Sequence, residues 1–248
     1  MNETIQLLLN HRSIRGFSNE NVPQEKVDLL IQAAQHAPTN SFLQQYSIID
    51  IIDEKEKKAL AEIGNQTYIA ESARLFVITA DLHRNAEIAQ EKGKSIQVLG
   101  SFDYFLRSLS DAFISAQNIV VAAESMGLGT VYLGSILNDT EAVIGLLHLP
   151  RYTFLVVGMA IGYPDQSPEL KPRLPENKIY HENKYHSSEK IVHELENYDQ
   201  TVSQYYDLRN KNRRIDTFTN QIAKAMDNQS KKRKSLLDVI RSQGLIQY

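Results

Sequence analysis

The stretch from Phe102 to Met126 limits the fold more than any other, being too long for one strand and too apolar to lie free in water. Leu106, Leu109, Phe113, Ala116, Ile119, Val120 and Ala123 spread around much of a helix over 103–126, and Gly127 stands where a helix ends. Asp103, Arg107, Asp111, Gln117, Asn118 and Glu124 interrupt the run, which together would be costly in a lipid core. The segment therefore reads as a buried helix, central to a fold or at a subunit interface.

Strands and helices alternate around it. Helices are expected over 3–10, over 24–36, where Val27, Leu30, Ile31 and Ala34 recur at helical spacing until Pro38, over Glu54–Ile63 and over Thr140–Leu147. The β-branched runs YSIIDII (46–52), LFVITA (75–80) and TVYLGS (130–135) suit strands, as does the nearly continuous apolar run FLVVGMAIG (154–162). Past the proline-rich stretch that follows, the core is expected to end near residue 180, giving a domain over 1–180. Residues 181–248 form a helical arm, with stretches at 188–207, 216–227 and 231–243 whose thin apolar stripes need a surface to pack on. The basic linker RNKNRR (209–214) lies inside this arm.

The chain has 27 basic and 30 acidic residues, so nucleic acid and anionic membranes are not expected partners. No cysteine is present, which removes thiolate chemistry and fits a reducing, cytoplasmic setting. The N-terminus has no basic region before its short apolar run and does not read as a signal peptide. GLGTVYLG (127–134) lacks the last glycine of a dinucleotide fingerprint and lies between a helix and a strand, the wrong order. GKS (93–95) lacks the glycine of a phosphate loop, HELEN (193–197) lacks a second histidine, and no nucleophile elbow occurs. No metal site is expected.

What remains is cationic. HRSIRGF places His11, Arg12, Ser13 and Arg15 in one turn; if helical spacing continues, Arg12 and Arg15 share a face and grip one anion, with Ser13 as a further donor. Lys171 and Arg173 flank Pro172, and in extended backbone residues two apart point the same way. Taken singly each cation is an ordinary surface residue; the combination suits a phosphate. His11 either closes the helix before it or touches the ligand. Thr39, Asn40, Ser41, Gln44, Gln45 and Gln66 offer donors and acceptors to the edge of a polar ring, whereas Tyr132, judged by its strand alone, belongs to the core.

With these residues assembled, the chain resembles the nitroreductase superfamily, in its group of FMN-dependent, NADPH-oxidising flavin reductases and oxygen-insensitive nitroreductases. The resemblance runs through HRSIRGF (11–17), APTNSFLQQYSII (37–49), GNQTYI (64–69), AAESMGLGTVYLGS (122–135), VVGMAIGYP (156–164), KPRLP (171–175), HENKY (181–185) and YYDLRNKNRRIDTF (205–218). It implies an α+β nitroreductase-like fold, a central mixed sheet flanked by helices, and a C-terminal arm wrapping the partner of a homodimer. It further implies FMN at the subunit interface. His11, Arg12, Ser13, Arg15, Lys171 and Arg173 would hold the phosphate, Thr39, Asn40, Ser41 and Gln66 would line the flavin, and Tyr132, Leu133, Gly134 and Ser135 would run along its ring.

The resemblance also assigns Arg209, Arg213 and Arg214 to the 2′-phosphate of NADPH, which it favours over NADH; by residues alone the linker reads first as a solvated one, and the resemblance reverses that reading. The implied activity takes hydride from NADPH and passes electrons, by a ping-pong mechanism, to acceptors such as nitroaromatics, free flavins, quinones, azo dyes or chromate. No side chain is expected to be catalytic, since the flavin carries the redox chemistry. The alternative is a flavin carrier or redox-responsive binding protein without efficient turnover. Departures from the group's pattern are Pro38 and Asn40 among small hydroxyl residues, Ser135 for glycine and Phe218 for tryptophan, and they bear on acceptor preference.

Overall fold

A computed structural model describes residues 1–209, 216–227, 233 and 235–248. The chain divides into two compact units, Met1–Pro168 with Lys232–Tyr248, and Glu169–Lys231. The boundary anticipated near residue 180 falls inside the second unit, and the last stretch of the expected arm returns to the first.

The first unit is built on four strands, β1 (Tyr46–Ile51), β2 (Arg74–Asp81), β3 (Gly129–Leu133) and β4 (Thr153–Gly162), in the order β1-β2-β4-β3. All three ladders are antiparallel. The mixed character expected of the sheet is confined to one parallel bridge, between Ser13 and Thr130. Helices α2 (Gln24–Gln35) and α6 (Phe102–Ser125) bury Leu30, Ala34, Ala116 and Ile119 against Phe76, Ile78, Met159 and Ile161 on one face. On the other, Leu60 of α3 (Glu54–Gly64), Ile69 of α4 (Tyr68–Glu71) and Val143 of α7 (Thr140–Leu146) pack on Leu75, Val77, Leu133 and Leu155. Cover on both faces explains why β4 reads as an unbroken apolar run and is buried at all ten positions: neither side-chain direction meets water.

A third cluster joins Ala86 of α5 (His83–Glu91), Phe105 of α6 and Phe154 to Val239 and Ile240, which lie on a helix near the C-terminus (Leu236–Ser242). Helix α1 (Glu3–Leu9) buries none of its residues within this chain.

Between the units' boundaries, the second carries α8 (Ile191–Glu194), α9 (Glu196–Arg209) and α10 (Phe218–Asp227); the helix near the C-terminus is then α11. Tyr198 and Phe218 stack edge to face at 5.3 Å, and the buried Asp199 carboxylate accepts the Thr219 N–H (2.9 Å) and hydroxyl (2.5 Å). These contacts fasten α10 to α9.

Candidate functional site

The cationic segment is extended where a helical turn was anticipated. After α1 the Ile14 N–H donates to the Thr130 carbonyl (2.9 Å), the Ser18 N–H to Tyr163 (2.9 Å) and the Asp165 N–H to Gly16 (3.0 Å). Pairing with the β3 edge and with the chain just past β4 takes the backbone out of the helix, so Arg12 and Arg15 do not share a helical face. Ile14 is buried, and in extended backbone its neighbours Ser13 and Arg15 lie together on the opposite side.

Two glycines permit this approach. Gly129 and Gly162 are register partners, and a Cβ on Gly129 would lie 2.5 Å from Ile14 Cγ1, one on Gly162 2.9 Å from Phe17 Cδ1. Only a residue without a side chain lets the segment lie this close to the sheet.

Arg12 donates through Nη1 to the Asn10 carbonyl (3.1 Å), while its Nε is buried without a partner among the described residues. It borders a cleft of about 260 Å³ with Asn10, Ile14, Glu124, Gly129 and Gln166. Among the described residues no carboxylate ion-pairs with Arg12 or Arg15. Two uncompensated guanidinium groups and an orphaned buried donor are what an anion would complete. His11 follows neither account alone: Asn10 closes α1, and His11 Nδ1 meets Glu124 Oε1 of α6 at 2.5 Å.

At the end of β3, the Ser135 hydroxyl donates to Gln66 Oε1 (2.8 Å), so two residues far apart in sequence meet there. Leu133 is 1% exposed and can offer a ligand only its backbone, whereas Gly134 borders open space. Tyr132 is 37% exposed and donates to Gln117 Oε1 (3.1 Å). Partial burial, aided by the Glu124 carboxylate, pushes its phenol up to about 12, leaving it a neutral donor at ordinary pH. Sequence reasoning missed Arg233, whose Nη2 donates to the Gly134 carbonyl (2.6 Å). It sits in a polar, lysine-rich stretch with no local signal, and only the return of the C-terminus brings it here.

Thr39, Asn40 and Ser41 lie in a short loop fastened to Asp111 of α6, where the Asn40 N–H donates to Asp111 Oδ1 at 2.8 Å. Gln45 is fully buried with its side-chain amide unpartnered among the described residues, and the Gln44 carbonyl accepts from Arg84. His11 reaches α6 at Glu124 and Asn40 reaches it at Asp111, so about 20 Å of helix separates the two contacts. Within one chain the loop and the cationic segment are therefore held at different points of the same helix.

Lys171 and Arg173 belong to the second unit, where Arg173 Nη1 donates to the Lys171 carbonyl (3.4 Å). Arg209 is the last residue of α9; Arg213 and Arg214 lie outside the described residues. Among the described residues there is no group of three or more potential metal ligands, and no helix is long and apolar enough to cross a membrane.

Residues 8–163 match the Nitroreductase family, and residues 171–248 match the Nitroreductase family, C-terminal domain. The FMN reductase (NADPH) of Bacillus subtilis (strain 168) is 40% identical over 247 residues, 98% of each chain. The solved structure of the NfrA1 nitroreductase from B. subtilis shares 38% identity at a TM-score of 0.94, covering 99% of this chain and 100% of that one. The NADPH:FMN oxidoreductase from Vibrio harveyi, solved in complex with NAD+, shares 35% identity at a TM-score of 0.89, with 100% of both chains covered.

Proposed function

This chain belongs to the nitroreductase family, and on that premise we propose that it is an FMN-dependent oxidoreductase that draws its electrons from NADPH. The observation that carries the reading is the uncompensated cationic segment on the sheet edge, with the orphaned Arg12 Nε beside it. A phosphate monoester suits this donor set: it is small, doubly charged and rich in acceptors. Bound there, FMN would supply the redox chemistry, taking hydride from a nicotinamide and passing the electrons to an acceptor.

The chain's own residues hold and orient. Ser13 and Arg15, with His11 braced by Glu124, take the phosphate; Arg12, which lies on the Ile14 side of the extended segment, and Lys171 and Arg173 of the second unit are assigned to it by the family resemblance. Gln66, Ser135 and the backbone at Tyr132–Ser135 present polar groups to the ring, Leu133 through its main chain alone. Arg233, on the Gly134 carbonyl, brings positive charge to that end of the site. In this reading the order is ping-pong: the oxidised nicotinamide leaves before the acceptor enters, so that one site serves both. Nitroaromatics, free flavins, quinones, azo dyes and chromate are the acceptor classes.

The site is completed across a homodimer interface in this reading. About 20 Å of α6 lies between the contact of the Thr39–Ser41 loop, assigned to the ring, and that of His11, assigned to the phosphate, so within one chain the two ends of the site are anchored far apart along the helix. Phe102, Leu106 and Phe113 of α6 and Ile5, Leu8 and Leu9 of α1 are exposed in the single chain, an apolar surface that a second copy would cover. Sedimentation at micromolar concentration is expected to give twice the 28.2 kDa chain mass, and a monomer holding FMN at full strength would refute the shared site. The lack of cysteine is in keeping with a cytoplasmic location.

Arg209, Arg213 and Arg214 are assigned to the 2′-phosphate of NADPH, the group that NADH lacks. In a steady-state assay with nitrofurazone or FMN as acceptor, wild-type protein should oxidise NADPH faster than NADH. Replacing the three arginines by alanine should raise the KM for NADPH at least tenfold more than that for NADH, the effect of losing one charge-assisted contact or more. Equal changes would remove the assignment; FMN binding without turnover on either acceptor would favour a flavin carrier.

A further inference from the structure

The loop that carries Thr39, Asn40 and Ser41 is an improbable conformation to find unassisted. Ser41, Phe42 and Gln44 all have positive φ (52°, 59° and 50°), a region that non-glycine residues disfavour because Cβ crowds the backbone. Phe42, between them, is 81% exposed, so burial of its ring does not hold the loop down.

Asp111 does. Its side chain, fully buried in α6, accepts from the Asn40 N–H (2.8 Å) and Asn40 Nδ2 (2.8 Å) at Oδ1, and from the Gln45 N–H (3.0 Å) at Oδ2. It thus grips both ends of the loop. Among the described residues no lysine, arginine or histidine pairs with this carboxylate. A buried charge is costly, and here the compensation comes from loop donors. On the far side, Arg84 Nη2 and Asn85 Nδ2 of α5 donate to the Gln44 and Leu43 carbonyls.

We propose that Asp111 is a positioning residue of the flavin site: it touches no ligand, and its carboxylate holds the 39–45 loop in the strained form that presents Thr39 and Ser41. In this arrangement Asn40 spends its side-chain N–H groups on Asp111 and the Arg107 carbonyl and serves as the loop's anchor. The inference rests on the flavin reading above.

The test compares FMN dissociation, followed by fluorescence recovery on dilution of the holoprotein, for wild type, Asp111→Asn and the double variant Asp111→Asn with Asn40→Asp. Asp111→Asn turns an amide N–H toward the Gln45 N–H, and FMN is expected to bind roughly tenfold more weakly, the effect of about one lost charge-assisted bond, with the far-UV circular dichroism unchanged. The double variant restores a carboxylate–amide pair with its partners exchanged and should recover part of that affinity. A folded Asp111→Asn protein with wild-type affinity, or a loss that the exchange does not relieve, overturns the proposal. If wild type itself binds no FMN, the flavin reading falls and takes this assignment with it. Should Asp111→Asn fail to fold, Arg84→Met loosens the loop from its exposed side; weaker FMN binding there supports the proposal, and unchanged binding overturns it.

Discussion

Arg15→Ala protein is expected to hold FMN roughly 10- to 150-fold more weakly than wild type, the equivalent of about 1.5–3 kcal/mol for one lost hydrogen bond to a charged group. The guanidinium has no carboxylate partner among the described residues, so its removal orphans no acidic partner among them. Stability should therefore stay near wild type while affinity falls. Riboflavin, which lacks the phosphate, provides the control: its affinity should hardly respond to the substitution. An FMN dissociation constant unchanged in Arg15→Ala would make Arg15 an ordinary surface residue and leave the phosphate to other cations. Equal losses for FMN and riboflavin would show that the substitution disturbs the ring site.

Gly129→Ala is expected to do the reverse, damaging fold and cofactor binding together. The added methyl would lie 2.5 Å from Ile14 Cγ1 and 2.7 Å from Ile14 Cβ, and the latter cannot turn away by changing rotamer. The segment from His11 to Phe17 must lift from the sheet, straining its bonds to Thr130 and Tyr163. Overpacking of this kind costs about 1–3 kcal/mol, which at about 2–4 °C per kcal/mol lowers the melting temperature by several degrees. Because the displaced segment carries Arg12, Ser13 and Arg15, FMN affinity should fall as well. Adding Ile14→Ala removes the Cγ1 and Cγ2 contacts and should return part of the affinity, though not the core packing of the isoleucine. A Gly129→Ala protein with wild-type melting temperature and flavin content would mean that the approach is looser than the geometry requires.

The polar residues of α6 show how far the sequence can be read. In the linear chain Asp111, Gln117 and Glu124 were interruptions that excluded a membrane span. In the folded chain each fastens one piece of the candidate site: Asp111 the 39–45 loop, Gln117 the Tyr132 hydroxyl, Glu124 the His11 ring. Their spacing of six and seven residues, about 9–11 Å along the axis, makes the helix a ruler on which separate segments are hung. The sequence held the ruler without showing what it measured. Tyr132 is instructive in the same way. Its strand neighbours Val131 and Leu133 are buried, yet Tyr132 points the other way and is partly exposed, which only the packing around the end of β3 decides, since Thr130 on the same side is buried.

By itself the sequence determined the four strands, the main helices around them and the chemistry of the cations, but not α5 or the extended course of 11–17. Helical periodicity, β-branched runs and clustered charge are local properties, contained in windows of ten or twenty residues, and the resemblance through ordered motifs supplied the family. Tertiary structure alone decided who meets whom. Glu124 stands 113 positions from His11, Asp111 stands 71 from Asn40, and Arg233 stands 99 from Gly134. No local rule contains such pairs, because they exist only once both faces of the sheet have been covered and the chain's distant segments have been brought to one helix and one strand end. The extended path of HRSIRGF was decided in the same way: its own residues allowed a turn of helix, and pairing with Thr130 across two facing glycines chose extended backbone.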